Sequence, residues 1–276
     1  MVFRKGYFYF LTLLLLAIWL AVFSLDSDLH IISCNVGQGD ATLIQIRTTQ
    51  VLIDGGPGNR VLECLGKYMP FYDRTIEMVI LTHPEEDHYG GLVDVFKNYR
   101  VLIFGHNNQN SGSQGYQVLK NLVGSKGVES IYLYQGKVLR SDLIQLDVVW
   151  PMKDTNLSKT NDEGIVTLLK YKQFKAIFMA DVENNVSDQI AGLNQMEQVN
   201  YVKVNHHGSK NGISEKLIQV LKPKIAVISV SAKNSYGHPH QEVIDLLKKY
   251  NLKILRTDQV GDVEIEISDG NYVVNN

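Results

Sequence analysis

The chain has 276 residues, with 27 Lys and Arg against 29 Asp and Glu, for a net charge of −2 at pH 7. With 45% hydrophobic and 20% charged residues it can build a sizeable core, which excludes disorder over most of its length; its single long apolar run excludes a multi-span membrane protein. The near-neutral balance also excludes attachment to nucleic acid by bulk positive charge, leaving only a local basic patch.

Arg4 and Lys5 precede an uncharged run from Tyr7 to Phe23, and Asp26 and Asp28 follow it. As a helix this run rises about 25 Å, the short end of what crosses a bilayer core of ~30 Å. Tyr7, Tyr9 and Trp19 suit the interfaces, and the charge bias predicts a cytoplasmic amino terminus with the remaining chain outside the cell membrane. The rival reading is a cleaved signal segment and a secreted protein. The run is long for a signal peptide and no A-x-A-like site follows Phe23, which favours a retained single-pass anchor. Residues 1–28 are read as anchor or signal segment, and 29–276 as one domain.

From His30 the pattern changes to short strands and turns. Strands are predicted at His30–Asn35, Ala41–Arg47, Gln50–Ile53, Glu77–Leu81 and Val101–Phe104, with helices at Asn59–Met69 and Gly90–Tyr99 and a polar loop from Gly105 to Gly115. The second half repeats the rhythm. Strands fall at Ser130–Tyr134, Leu143–Trp150, Ile165–Tyr171, Ala176–Met179, Asn200–Val204, Ile225–Ser229, Lys253–Arg256 and Val263–Ile267. Helices fit Val182–Leu193, Ser214–Leu221 and Gln241–Tyr250. The fold class is α/β, with sheets covered by helices. Cys34, in a strand-like run, and Cys64, in a predicted helix, read as buried thiols rather than a bridge.

The chemistry concentrates in Thr82-His83-Pro84-Glu85-Glu86-Asp87-His88-Tyr89-Gly90-Gly91. Two imidazoles and three carboxylates directly follow an apolar strand, where their desolvation is costly unless they are paired or bind a metal. These are ligand types for Zn²⁺, Mn²⁺ or Fe. His83-x-Glu85-x-Asp87-His88 followed by Gly90-Gly91 resembles the H-x-[HD]-x-D-H signature of the metallo-β-lactamase fold. More closely, the chain is similar to the ComEC-like branch, the hydrolase-like domain attached to competence DNA-uptake channels. Supporting segments, in the family's order over residues 31–262, are Asn35-Val36-Gly37-Gln38-Gly39-Asp40, Leu52-Ile53-Asp54-Gly55-Gly56, Ala180-Asp181, Lys203-Val204-Asn205-His206-His207-Gly208-Ser209, Tyr236-Gly237-His238-Pro239-His240 and Leu255-Arg256-Thr257-Asp258. The resemblance implies an αββα sandwich, two mixed sheets flanked by helices, with a metal centre at one edge. Three departures stand out: Glu85 where His or Asp is usual, Ala180 where Gly precedes the bridging Asp (a small change), and Gly164 where Ser is usual.

By the same resemblance two divalent ions, Zn²⁺ or Mn²⁺, are expected. The first takes His83, Glu85 and Asp181, aided by Asn161 or Asp162. The second takes Asp87, His88, Asp181 and one of the paired histidines, with His207 favoured over His206. Asp87 or Asp181 orients the attacking water, and His206, with His238 or His240, donates a proton or contacts a phosphate. Lys203, Ser209 and Lys210 join His238 and His240 as expected substrate contacts, and Asp54 takes a buried hydrogen-bonding role. The expected activity is metal-dependent hydrolysis of a phosphodiester in DNA or RNA. The alternatives are another ester (a phosphocholine-type ester, a lactone or a β-lactam) and a non-catalytic DNA-binding module. No aromatic platform for base stacking is visible in the sequence.

Overall fold

The computed structural model describes residues 2–23, 28–141, 143–153 and 159–275. Asp26 and the side chains of Arg4 and Lys5, on which the expected orientation rests, lie outside the described residues. In chain order the elements are α1 (Val2–Phe23), β1 (Leu29–Ser33), β2 (Thr42–Ile46), β3 (Thr49–Ile53), α2 (Arg60–Tyr68), β4 (Thr75–Leu81), α3 (Glu86–Tyr89), α4 (Leu92–Asn98), β5 (Arg100–His106), α5 (Gln114–Ser125), β6 (Glu129–Tyr132), β7 (Val138–Ser141) and β8 (Ile144–Trp150). There follow β9 (Val166–Tyr171), β10 (Phe174–Phe178), α6 (Asn184–Ala191), β11 (Tyr201–Lys203), α7 (Glu215–Leu221), β12 (Ile225–Ile228), α8 (Gln241–Lys249), β13 (Lys253–Arg256), α9 (Thr257–Val260), β14 (Val263–Ser268) and β15 (Asn271–Asn275).

Two mixed sheets form, ordered β15-β14-β1-β2-β3-β4-β5-β6 and β13-β12-β11-β10-β9-β8-β7. In each, an antiparallel half meets a parallel half, at β3–β4 and at β10–β11. Strand alternation gives each sheet two apolar faces. Ile31, Ile44, Ile80, Leu146, Phe174 and Phe178 fill the layer between the sheets. The outer face of the first sheet packs on α2, α4 and α5 through Val61, Leu65, Phe96 and Leu119, and that of the second on α6, α7 and α8 through Val186, Leu217 and Leu247. The layering is therefore α/β/β/α.

The structure adds elements to the sequence reading. Helix α5 starts within the predicted polar loop: Ser113 caps it by accepting from the Tyr116 amide, and Tyr116, Leu119 and Val123 line its buried side. Cys34 and Cys64, expected as separate thiols, are instead bonded, with Cα atoms 5.8 Å apart. The loop after β1 lies against α2 in the outer layer, a proximity that a sequence separation of 30 conceals. Among the described residues no helix is long and apolar enough to cross a membrane. On α1 the described side chains are those of residues 6–16 and Trp19, and the rest of the Tyr7–Phe23 run lies outside them.

Candidate metal centre

Strands β1, β3, β4, β10 and β11 end at the same edge of the sandwich, the carboxyl edge of the parallel strands, where ligands bind in open α/β sheets. The loops leaving the first three interlock through their backbones. The Asp40 amide donates to the Asp87 carbonyl (3.1 Å), the Gly55 amide to that of His88 (2.7 Å), and the Gly91 amide to that of Gly56 (2.8 Å). This nesting requires glycine: a Cβ on Gly39 would sit 2.4 Å from the Asp87 carbonyl oxygen, and one on Gly91 2.1 Å from that of Gly55. Asp87 and His88 are thus fixed by the segments that sequence similarity singles out.

Asp87, His88, Asp181 and His207 bring one ligand atom each to within 4.8 Å of one another. His88 Nε2 lies 3.4 Å from Asp181 Oδ2, and His207 Nε2 lies 3.5 Å from that oxygen and 3.3 Å from Asp87 Oδ2. Neighbours fix which imidazole nitrogen faces the cluster. His207 Nδ1 donates to the Ser229 carbonyl (3.0 Å), and His88 Nδ1 to Asp54 Oδ2 (2.8 Å), so in the neutral imidazoles both Nε2 atoms present lone pairs inward. His88 Nε2 and Asp181 Oδ1 are buried with no hydrogen-bond partner among the described residues. Buried polar atoms left orphaned in this way fit a cation.

The electrostatics agree. Burial alone would raise the Asp181 carboxyl, but His207 and His88 outweigh it and hold Asp181 well below the carboxylate range. Burial likewise opposes protonation of His88, yet Asp181, Asp54 and Asp87 raise it well above the usual imidazole value. His207 is raised in the same manner by Asp181 and Asp87 against burial. Three carboxylates thus hold protons on two imidazoles, the positive charge that a divalent ion replaces on binding.

The other expected ligands stand apart from this group. His83 is fully buried, its ring centroid 4.0 Å from that of His88, and its Nδ1 is 3.0 Å from Thr82 Oγ1 while Nε2 has no partner among the described residues. Burial lowers its pKa to about 3. Glu85 is half-buried on the wall of the cleft; burial, then Asp87 and Asp181, push its carboxyl up. Asp162 lies outside the four-residue cluster. Its oxygens accept from the Glu183 amide (3.1 Å) and Asn185 Nδ2 (3.2 Å), holding the start of α6.

A cleft of about 360 Å³ opens over the cluster, lined by Gln38, Glu85, Asp87, His206, Tyr236 and His238 among others. His206 and His238 line it, their ring centroids 5.6 Å apart. The other residues expected at the substrate rim lie off this lining. Lys203 is buried and paired with Asp40 at 2.6 Å, because β11 runs through the interior. Ser209 is buried, accepting from the Asn211 amide. Lys210 faces a neighbouring hollow beside Asn184 and Asp188, and His240 Nδ1 accepts from the Lys210 amide (3.3 Å). The Ala180 departure is not a small one, since Ala180 holds φ +50, where glycine is free of strain. Sequence reasoning also missed Tyr236, which is 66% exposed and stacks on His238 (centroids 5.7 Å, planes 25° apart). A lone tyrosine between polar residues carries no periodic signal.

Residues 34–113 match the family described as the metallo-beta-lactamase superfamily. The chain is 28% identical over 268 residues to ComE operon protein 3 of Bacillus subtilis (strain 168), covering 87% of this chain and 33% of that protein. It is 25% identical over 238 residues to Recombination protein 2 of Haemophilus influenzae, covering 84% and 28%. The chain thus spans about a third of the length of these relatives. Among solved structures, the metallo-beta-lactamase fold protein YhfI from Bacillus subtilis superposes with a TM-score of 0.59 at 11% identity, over 90% of this chain and 100% of that one. Four layers, a ligand cluster at their shared edge and the matched segments lead to one reading: the chain carries a metallo-beta-lactamase superfamily domain and is similar to ComEC-like proteins.

Proposed function

We propose that the protein is a membrane-anchored phosphodiesterase that cleaves DNA or RNA outside the cell membrane, using two ions, Zn²⁺ or Mn²⁺. The observation that carries the hydrolytic part is the buried Asp87–His88–Asp181–His207 cluster, with its orphaned atoms, at the floor of an open cleft. Asp87, His88, Asp181 and His207 would hold one ion, and His83, Glu85 and Asp181 a second. Bound divalent ions would supply Lewis acidity towards a phosphoryl oxygen and bring the pKa of water towards neutrality. Asp87, its side chain 31% exposed at the cleft floor, orients the attacking water and accepts its proton. His206 lines the same cleft beside His238, and in this reading it protonates the leaving oxygen. His238 is itself lowered to about 4 by burial and by His206 and His207, so it meets substrate as a neutral hydrogen-bonding group.

Names from competence and recombination among the relatives point the substrate towards nucleic acid. A smaller ester is the second reading, favoured by one feature: among the described residues no Lys or Arg lines the cleft. Export is supported by the Cys34–Cys64 bond, since such bonds persist in oxidising compartments. The anchor is supported by α1, on which Tyr7, Phe8, Tyr9, Leu11, Leu13, Leu15 and Trp19 are all more than half exposed and the described side chains form no charged face. Purified protein loaded with Mn²⁺ or Zn²⁺ is expected to nick labelled single strands, and Asp87→Ala to abolish this. Full metal occupancy with no cleavage of any nucleic acid, alongside turnover of a small ester, would establish the second reading instead.

A further inference from the structure

The edge opposite the metal centre carries a second organised surface. β1 runs parallel in space to β3, β4 and β5, so the amino-terminal ends of all four lie together at that edge. Residues 24–28, which join α1 to β1, reach at most ~17 Å when fully extended. Whatever surface α1 enters therefore lies close to this edge and away from the metal centre. The seven residues of β4 separate the two ends by roughly 20 Å.

That edge is built for an amphipathic, anionic boundary. In the turn between α2 and β4, Phe71 is 88% and Tyr72 60% exposed, their rings edge to face at 5.4 Å. Adjacent large aromatics held out into solvent bury nothing in the protein itself. Around them stand Arg47 in the β2–β3 turn, Arg74 before β4, Arg100 at the start of β5 and Lys126 after α5, all exposed. The Arg100 amide donates to the Arg74 carbonyl at 2.8 Å, which holds two of these cations side by side. None of the four has a carboxylate partner among the described residues. Of the nearby acids, Asp73 is turned inward, accepting from the Thr75 amide and Gln50 Nε2, and Glu129 is exposed.

We propose that this edge docks on an anionic lipid bilayer, with Phe71 and Tyr72 entering the headgroup region and Arg47, Arg74, Arg100 and Lys126 meeting lipid phosphates. The inference rests on α1 being the anchor. Docking holds the domain upright, so that the cleft opens away from the bilayer.

The test uses the full chain, reconstituted into vesicles of phosphatidylcholine alone or mixed equally with phosphatidylglycerol. Tyr72→Cys and, as a reference near the cleft, Lys233→Cys are each labelled with an environment-sensitive fluorophore and exposed to lipid-borne quenchers. Flotation reports the anchor separately. The expected result is flotation of every variant, with quenching at position 72 that is several-fold stronger than at 233 and strengthened by phosphatidylglycerol. Charge reversal by Arg47→Glu with Arg100→Glu should remove most of that difference while flotation persists. Flotation with equal, weak quenching at both positions overturns the docking proposal and leaves the anchor standing. Failure of the unlabelled chain to float with either vesicle overturns the anchor, and the proposal with it.

Discussion

Replacing Asp54 by Asn separates the metal site from the fold that carries it. Asp54 is buried and accepts three bonds of 2.8 Å, from the Thr82 amide, the Thr82 hydroxyl and His88 Nδ1. An asparagine can keep its carbonyl on the Thr82 amide and offer its NH₂ to the hydroxyl, which then accepts rather than donates. It cannot accept from His88 as well. The imidazole must then move its proton to Nε2, the atom that faces the cluster, or leave a buried donor unpaired. Loss of such a supporting carboxylate costs ~10–100-fold in metal affinity, or about 1.4–2.7 kcal/mol. Chelator-competition titration of Zn²⁺ or Mn²⁺ reads this directly, and thermal unfolding in excess chelator reads the fold alone. The expected outcome is weaker binding with an apo unfolding temperature within a few degrees of the parent. Unchanged metal affinity in a folded Asp54→Asn protein would refute the assignment of His88 as a ligand oriented through Nδ1.

Three further outcomes follow from the same geometry. Lys203→Met strands the buried Asp40 carboxylate and should cost ~3–5 kcal/mol in denaturant unfolding, while adding Asp40→Asn should recover most of it; an additive double mutant would deny the pairing. Replacing Cys34 and Cys64 by Ser opens a crosslink spanning 30 residues and should lower stability by ~3.5 kcal/mol, and a reducing agent should then have no further effect. Metal affinity should climb as pH rises through and above the usual imidazole value of 6.5. His88 and His207 are raised by their carboxylates, so at lower pH protons compete with the ion, and that competition fades as the two imidazoles lose their protons. An affinity flat with pH above 6.5 would mean that binding releases no proton from either imidazole.

Much of the centre was legible because its ligands sit at strand ends within short, unusual segments. Two imidazoles and three carboxylates after an apolar strand can hardly be ordinary surface, and the αββα layering followed from strand–helix alternation together with the family pattern. What was hidden is what depends on contacts between distant segments. The lysine of β11 reads as a rim cation because its neighbours are histidines, yet alternation along a central strand turns it onto Asp40, 163 residues earlier. Asp162 resembles a ligand in composition, but the start of α6 already uses both of its oxygens. The Cys34–Cys64 contact and the pairing of Tyr236 with His238 likewise have no periodic signature. Residue type announces which groups can bind a metal; burial and partners decide which are free to do so.

Backbone strain makes the same point about the centre's energetics. Asp54, Ala180, His206 and His207 hold left-handed φ values of 60, 50, 50 and 53, and each lies just beyond a strand that feeds the cluster. Such conformations cost of order 1–3 kcal/mol each in residues other than glycine and persist only where the surroundings enforce them. Here they reverse the chain at once, so that strands from two sheets deliver side chains to one point rather than running past it. The cluster also concentrates carboxylates that need a positive partner. The strain is built into the folded loops, and a cation that binds only that arrangement offsets its cost while balancing the carboxylates. An ion that binds the folded chain and not the unfolded one adds stability as RT ln(1 + [L]/Kd), about 2.7 kcal/mol at a hundredfold excess over Kd. The sandwich is held by three apolar layers remote in composition from the ligand cluster, so it is expected to stay folded without an ion. A bound ion would then tighten the loops that carry Asp87, Asp181 and His207, and chelation should loosen those loops in hydrogen exchange well before it unfolds the sheets.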